Sequence, residues 1–267
     1  HKTVFSQIVA EQLGLPFDNI NVIQGDTDRT GPGSGSGGSR TTTVAGGAIH
    51  HNSLEIIAKG KRIAAHMLEA SAEDISFDAG QFVITGTDRS IDLVSVATAS
   101  FNDANLPDDL GLGLEAAHHY VARTYSFPCG CHVCEVEIDQ DTGMVEITRY
   151  QMVSDFGVVI NPMLVEGQLH GGVVQGIGQA LNEESLYDPV SGQLVTGSGM
   201  DYWMPRAPKD CRSSIPPVNT ATINGIWAAG RGRTAGPTIG TGAARTATAT
   251  ISSTRSPRRP GTSSSKS

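Results

Sequence analysis

An α+β fold, in which glycine-rich helices pack on mixed or antiparallel sheets in two subdomains, is what this sequence of 267 residues predicts. Three stretches carry the prediction. Val4, Ile8, Val9 and Leu13 recur at helical spacing. Residues 133–138 and 144–153 alternate apolar and polar side chains around Asp139-Gln140-Asp141-Thr142-Gly143, the pattern of a β-hairpin with a short loop. Residues 153–202 then run from a strand (152–155) through a turn at Phe156-Gly157 and the apolar Val158–Ile160 to Asn161-Pro162. That pair reads as an N-cap followed by proline in the first helical turn.

In chain order, Gly14 is placed to close the first helix. Pro16-Phe17-Asp18 makes a turn, and Ile20, Val22 and Ile23 read as a short strand ending at Gly25-Asp26. The run 30–43, rich in glycine, serine and threonine with Arg40 among them, precedes a helix expected over about 44–70. Composition allows a flexible linker there. The alternative is a polar cradle, in which glycines let backbone N–H groups converge on an anion at a helix N-terminus while hydroxyls and Arg40 add donors. It is not a P-loop, because no Lys-Ser/Thr ending follows. Residues 73–85 form a small strand pair joined by Asp78-Ala79-Gly80, 90–99 a short helix capped by Ser90, and 101–117 a loop-rich stretch with no function assigned. The helix after Asn161 carries Gly167, Gly171, Gly172, Gly176 and Gly178, each costing up to ~1 kcal/mol against alanine. Close approach of a ligand or backbone would account for them, and so would tight packing against a neighbouring element. Glu183, Glu184 and Asp188 read as solvated or helix-end charges.

Composition excludes several classes. A net charge of −8 lacks the basic face that nucleic acid requires, and no apolar run approaches the ~18 residues a membrane helix needs. Four cysteines are few for this length and fit a reducing cytoplasm. Cys129, Cys131 and Cys134 lack paired CxxC spacing, and Cys131 and His132 would point to opposite faces of a strand, so a structural hairpin is expected rather than a metal site. The chain opens at His1, directly inside a motif, which reads as a fragment.

DFGVVINP, VEGQLHGGVVQGIGQALNEE and TGSGMDYWMPRA resemble the molybdopterin-binding large subunit of the molybdenum hydroxylases, the group of xanthine dehydrogenase, aldehyde oxidase and aerobic carbon monoxide dehydrogenase. FPCGCHVCEVEIDQDTG resembles the carbon-monoxide-dehydrogenase-like branch. The resemblance covers roughly 1–207 and implies the second molybdopterin-binding domain of the aldehyde oxidase/xanthine dehydrogenase type, expected over 1–210 and incomplete at its N-terminus. It implies a molybdenum–molybdopterin cytosine dinucleotide cofactor, with iron–sulfur and FAD groups on a small and a medium partner subunit, a dimer of heterotrimers when intact, and a small-molecule substrate. Carbon monoxide, an aldehyde and an N-heterocycle all remain open as that substrate. Ser39, Arg40, Thr41 and Thr42 match the segment that holds the dinucleotide. His1 and Thr3 match the end of a cofactor-contacting motif in which Lys2 replaces the usual glutamate, a frayed terminus being the alternative. Asp155, Phe156 and Asn161 match a cofactor-contacting turn. Gln175 matches the glutamine beside the molybdenum, whose amide donates one hydrogen bond and accepts another; no residue is expected to ligate the metal directly.

The resemblance then fails. The family's general-base glutamate would fall near Thr234, and threonine cannot do that work. Beyond Asp210 there is no acidic residue, and 211–267 reads as an atypical basic tail, disordered or frameshifted. Codons for 253–256 can encode Asp-Ala-Leu, a common family ending, in another frame. The expectation is a chain inactive alone. A non-catalytic cofactor-binding or assembly module, a pseudogene product, a general phosphate binder, and a genuine basic tail for an acidic partner are the alternatives.

Overall fold

A computed structural model describes residues 1–33, 35–122 and 127–205, together with the backbone of two strands at 218–223 and 245–250. Its elements are α1 (Lys2–Leu13), α2 (Thr41–Leu68), β1 (Ile75–Asp78), β2 (Gln81–Ile84), β3 (Ser90–Asp92), α3 (Leu93–Ala99), β4 (Glu115–Tyr120), β5 (Cys129–Ile138), β6 (Val145–Asp155), α4 (Pro162–Leu181), β7 (Val218–Ile223) and β8 (Arg245–Thr250). They fall into two compact units, His1–Ser126 with Ala235–Ser267, and Phe127–Thr234.

The first unit is built around α2, a helix of 28 residues. Its buried face carries Ile56, Ile63, Ala64 and Ala65, which pack with Leu13 of α1, Ile75, Phe82, Leu93, Val96 and Leu114 into one continuous core. Phe82 is fully buried and lies against Gly60 of α2, so closely that a Cβ there would collide with its ring. Burying that side chain contributes about 1.5–3 kcal/mol. β1, β2 and β3 form an antiparallel sheet, and the β1–β2 turn places Ala79 and Gly80 at φ 44 and 81. β4 pairs antiparallel with β8.

Several expectations hold here, and others need correction. Gly14 closes α1 in the left-handed conformation, as its position suggested. The strand expected at Ile20–Ile23 does not form, because three apolar residues in extended backbone make no ladder without a partner chain beside them. The cap of α3 is Asp92, not Ser90: its Oδ1 accepts from Ser95 N at 2.9 Å. Ser90 instead pairs with Val83 as part of β3, a third strand that the single apolar residue Ile91 between Arg89 and Asp92 does not advertise.

The second unit is a three-stranded sheet in the order β5-β6-β7, with β7 parallel to β6. β5 and β6 form the expected hairpin, shifted at Glu135/Val136 by a bulge. Asp139 anchors its loop by accepting from the amides of Asp141 and Thr142, which holds its carboxyl below the usual range. α4 starts at the expected cap, Asn161 Oδ1 accepting from Leu164 N at 3.1 Å. Both β7 and β8 lie within 211–267, the stretch expected to be an atypical tail, disordered or frameshifted. Thr234, 253–256 and the rest of that stretch lie outside the described residues.

Candidate functional site

The cradle residues end in an uncapped helix. Gly35 and Gly38 take φ 72 and 61, Ser39 takes φ 51, and Arg40 returns to right-handed backbone at φ −107. The change of hand between Ser39 and Arg40 is the backbone pairing found in anion-binding concavities, although the Arg40 N–H here donates to Gly37 O at 3.4 Å. The first backbone bond into the helix runs from Val44 N to Arg40 O at 2.9 Å. The amides of Thr41, Thr42 and Thr43 therefore precede the helical ladder. Among the described residues no side chain caps this end and no acid stands in its first turn, so the positive end of the helix dipole is not offset there. Thr41 is buried, Arg40 and Thr42 are half-buried, and Ser39 is exposed.

His1 belongs to the same unit. Its Nε2 lies 3.1 Å from Ser36 Oγ, which joins the start of the chain to the cradle loop, and its ring stacks on Phe5 at 5.6 Å. Thr3 is exposed on the first turn of α1.

The remaining sequence-predicted residues lie in the second unit. Asp155 ends β6 and accepts from Gly157 N at 2.9 Å, with Gly157 at φ 73, so the turn at 156–157 forms as expected. Phe156 is exposed. Gln175 is exposed on α4, about one turn beyond Gly171 and two beyond Gly167. Of the five helix glycines, only Gly178 meets a neighbour, Pro205 Cγ at 2.7 Å from where a Cβ would stand. The other four face open space, so no neighbour among the described residues packs tightly against them. Glu183 is not merely solvated, because the Tyr202 hydroxyl donates to its Oε2 at 3.0 Å, holding that phenol above its usual range. Asp188 accepts from the amides of Val190 and Ser191 in a tight turn, which holds its carboxyl down.

Two features were not singled out from the sequence. One is an open apolar cleft of about 540 Å³ between α4 and the β5–β6 face, with His132, Cys134, Tyr150 and Gln168 as its main polar side chains. His132 Nδ1 lies 3.0 Å from the Tyr150 hydroxyl within it. Its signal was the alternation of His132, Cys134 and Val136 on one strand face. The other is a histidine cluster between α2 and β4. The cysteines of β5 are free and exposed, and among the described residues no three His, Cys, Asp or Glu side chains gather as a metal site.

A glycine-turned loop feeding a helix without a side-chain cap, on an α+β scaffold, is geometry compatible with an anion at the helix N-terminus. The chain belongs to the molybdopterin cofactor-binding domain family, which it matches over residues 1–209. It is 38% identical over 208 residues to the carbon monoxide dehydrogenase large chain of Hydrogenophaga pseudoflava, covering 78% of this chain and 26% of that one. It is 40% identical over 206 residues to the 6-hydroxypseudooxynicotine dehydrogenase complex subunit gamma of Paenarthrobacter nicotinovorans, covering 77% of this chain and 26% of the relative. Among solved structures, a carbon-monoxide-reduced Cu,Mo-CO dehydrogenase superposes with a TM-score of 0.76 at 36% identity, over 84% of this chain and 27% of its own. Quinoline 2-oxidoreductase from Pseudomonas putida 86 does so with a TM-score of 0.74 at 34% identity, over 84% and 28%. The chain thus spans about a quarter of the length of these relatives. Among the described residues no helix is long and apolar enough to cross a membrane.

Proposed function

We propose that this chain is the part of a molybdenum hydroxylase large subunit that holds a molybdopterin cytosine dinucleotide. The observation that carries the reading is the acid-free, uncapped N-terminus of α2 behind the left-handed turn at Gly38 and Ser39. Its donors suit a diphosphate: amides preceding the helical ladder, the hydroxyls of Ser39, Thr41 and Thr42, and the Arg40 guanidinium, all without a competing carboxylate in the first turn. His1 and Thr3 would add contacts from α1. Asp155, Phe156 and Asn161 would present the β6–α4 turn to the pterin, and Gln175 would offer one donor and one acceptor beside the metal. When bound, the cofactor supplies the two-electron chemistry of hydroxylation. This chain's residues bind and orient it and keep its phosphates neutralised.

The complete enzyme would take a small substrate. The names of the relatives leave carbon monoxide and N-heterocycles both in view. It would pass electrons to a small iron–sulfur subunit and a medium FAD subunit, work as a dimer of heterotrimers, and reside in the cytoplasm. Residues 211–267 would be an altered tail lacking the general base near Thr234, which makes the chain inactive alone.

The test is co-expression with the complementary N-terminal part of a relative's large subunit, followed by assay of molybdenum and released CMP in the purified complex. Stoichiometric amounts of both support the reading, and Arg40→Ala should then lower CMP content roughly tenfold, the worth of one charge-assisted hydrogen bond. Cofactor retained without turnover would favour a non-catalytic holding module. A soluble complex containing neither would refute the reading.

A further inference from the structure

Gly47, His51 and Glu55 recur every four residues on α2, and Ala116, His118 and Tyr120 every two on β4, so each set shares a face. The two faces meet. Tyr120 lies flat enough on Gly47 that a Cβ there would come 2.7 Å from its Cε1. One turn further on, the His51 ring stacks on Tyr120 at 5.5 Å and lies 4.9 Å from the ring of His118. His118 Nδ1 is 3.4 Å from Glu55 Oε1. His50, whose Nδ1 lies 2.8 Å from Gln12 Oε1 of α1, brings a third imidazole to 5.7 Å from His51. β8 stands opposite in register, placing Arg245 across from Tyr120, Ala247 across from His118 and Ala249 across from Ala116.

We propose that the α2–β4 contact is a pH-sensitive latch, closed while His51 is neutral and loosened when His51 takes a proton. A charge on His51 would face the imidazoles of His118 and His50. Glu55, which lies 3.4 Å from His118 Nδ1, offsets it only in part, being the smallest of the influences on His51. Burial, then His118 and His50, push His51 below the ordinary imidazole range, with Glu55 opposing them. A histidine depressed in the folded state contributes stability that is complete above its unfolded value of about 6.5 and is lost as pH falls toward its lowered folded value. The latch grips α2 between about two and four turns beyond Thr41. If the cofactor reading holds, acid would therefore also loosen the cradle, but the latch itself does not rest on that reading.

The decisive experiment is urea unfolding of the whole chain at about pH 7.5 and about pH 5.5, with the His51 imidazole followed by NMR, against a free-histidine value near 6.5. The midpoint should fall toward acid. His51→Phe, which keeps a ring on Tyr120 but carries no proton, should lose at least half of that fall, and so should His118→Gln. His66→Gln, at the exposed last turn of α2, should keep it. A fall unchanged in both latch variants would overturn the proposal, and so would a His51 titration at or above the free value. The titration uses the unaltered chain, so it decides the matter even if a substitution fails to fold.

Discussion

Asn161 illustrates how one side chain can be asked to do two things. Its Oδ1 accepts from Leu164 N and so caps α4, while family resemblance assigns the same residue to a cofactor-contacting turn. Asn161→Ala should cost about 1 kcal/mol in urea unfolding, the usual worth of a lost cap, with faster exchange at the Leu164 amide. Asn161→Asp keeps a good cap. If it preserves stability yet lowers cofactor content in the co-expressed complex, the two roles are separate. Gly14 offers a second residue-scale comparison. It sits at φ 62, and a side chain there would run into the backbone of the Ala79–Gly80 turn, whereas Gly25 at φ 74 has open space around it. Gly14→Ala should therefore destabilise by clearly more than the ~1 kcal/mol expected of Gly25→Ala, as read by thermal unfolding. The sequence marked Gly14 as a helix stop but not as a contact. Nothing local encodes that a turn some 65 residues later packs on it.

At the scale of elements, legibility followed the range of the forces involved. α1, α2, the β1–β2 pair, the β5–β6 hairpin and the entry to α4 are set by periodicity, turn chemistry and capping within a few residues, and all form, α2 starting at Thr41 ahead of the expected position near 44. The misplaced cap at Ser90 has a non-local cause: β3 must pair with β2, so helix α3 cannot begin until Asp92. Ile20–Ile23 failed for the mirror reason, since a strand pattern counts only when a partner edge is present. The left-handed turn at Gly38 and Ser39 accords with the glycine-rich composition of 30–43, whereas reading that loop as a cradle and not a linker rests on the family resemblance. The core contact between α2 and β2 carries its own prediction. Gly60→Ala would gain up to ~1 kcal/mol of helix propensity, yet the new methyl must enter the fully buried Phe82 ring, itself 4.7 Å from Phe77. Overpacking costs about 1–3 kcal/mol, so a net loss of stability is expected by chemical denaturation, and a gain would mean the core can shift.

The two units contrast most at the scale of the whole chain. The first encloses a continuous core, whereas in the second Ile147, Met152 and Val173 are the buried apolar side chains among the described residues. Around them Met163, Val190 and Met200 lie largely exposed, and α4 keeps open space at Gly167, Gly171, Gly172 and Gly176. A helix that gives up several tenths of a kcal/mol at each of these positions, with nothing in the described residues gaining from it, is not optimised for the isolated chain. Its glycines make sense if something approaches α4 only in the assembled protein, which is what the proposed function requires. The consequence is a reversal of sign between two measurements. Gly172→Ala and Gly176→Ala should each raise the melting temperature of the isolated chain, because alanine stiffens the helix and meets no neighbour. The same substitutions should lower molybdenum and CMP content in the co-expressed complex, where a methyl would intrude on whatever abuts the helix. Stabilisation in both settings would leave the glycines without a role in assembly, and destabilisation of the isolated chain would mean that the space beside α4 is already filled.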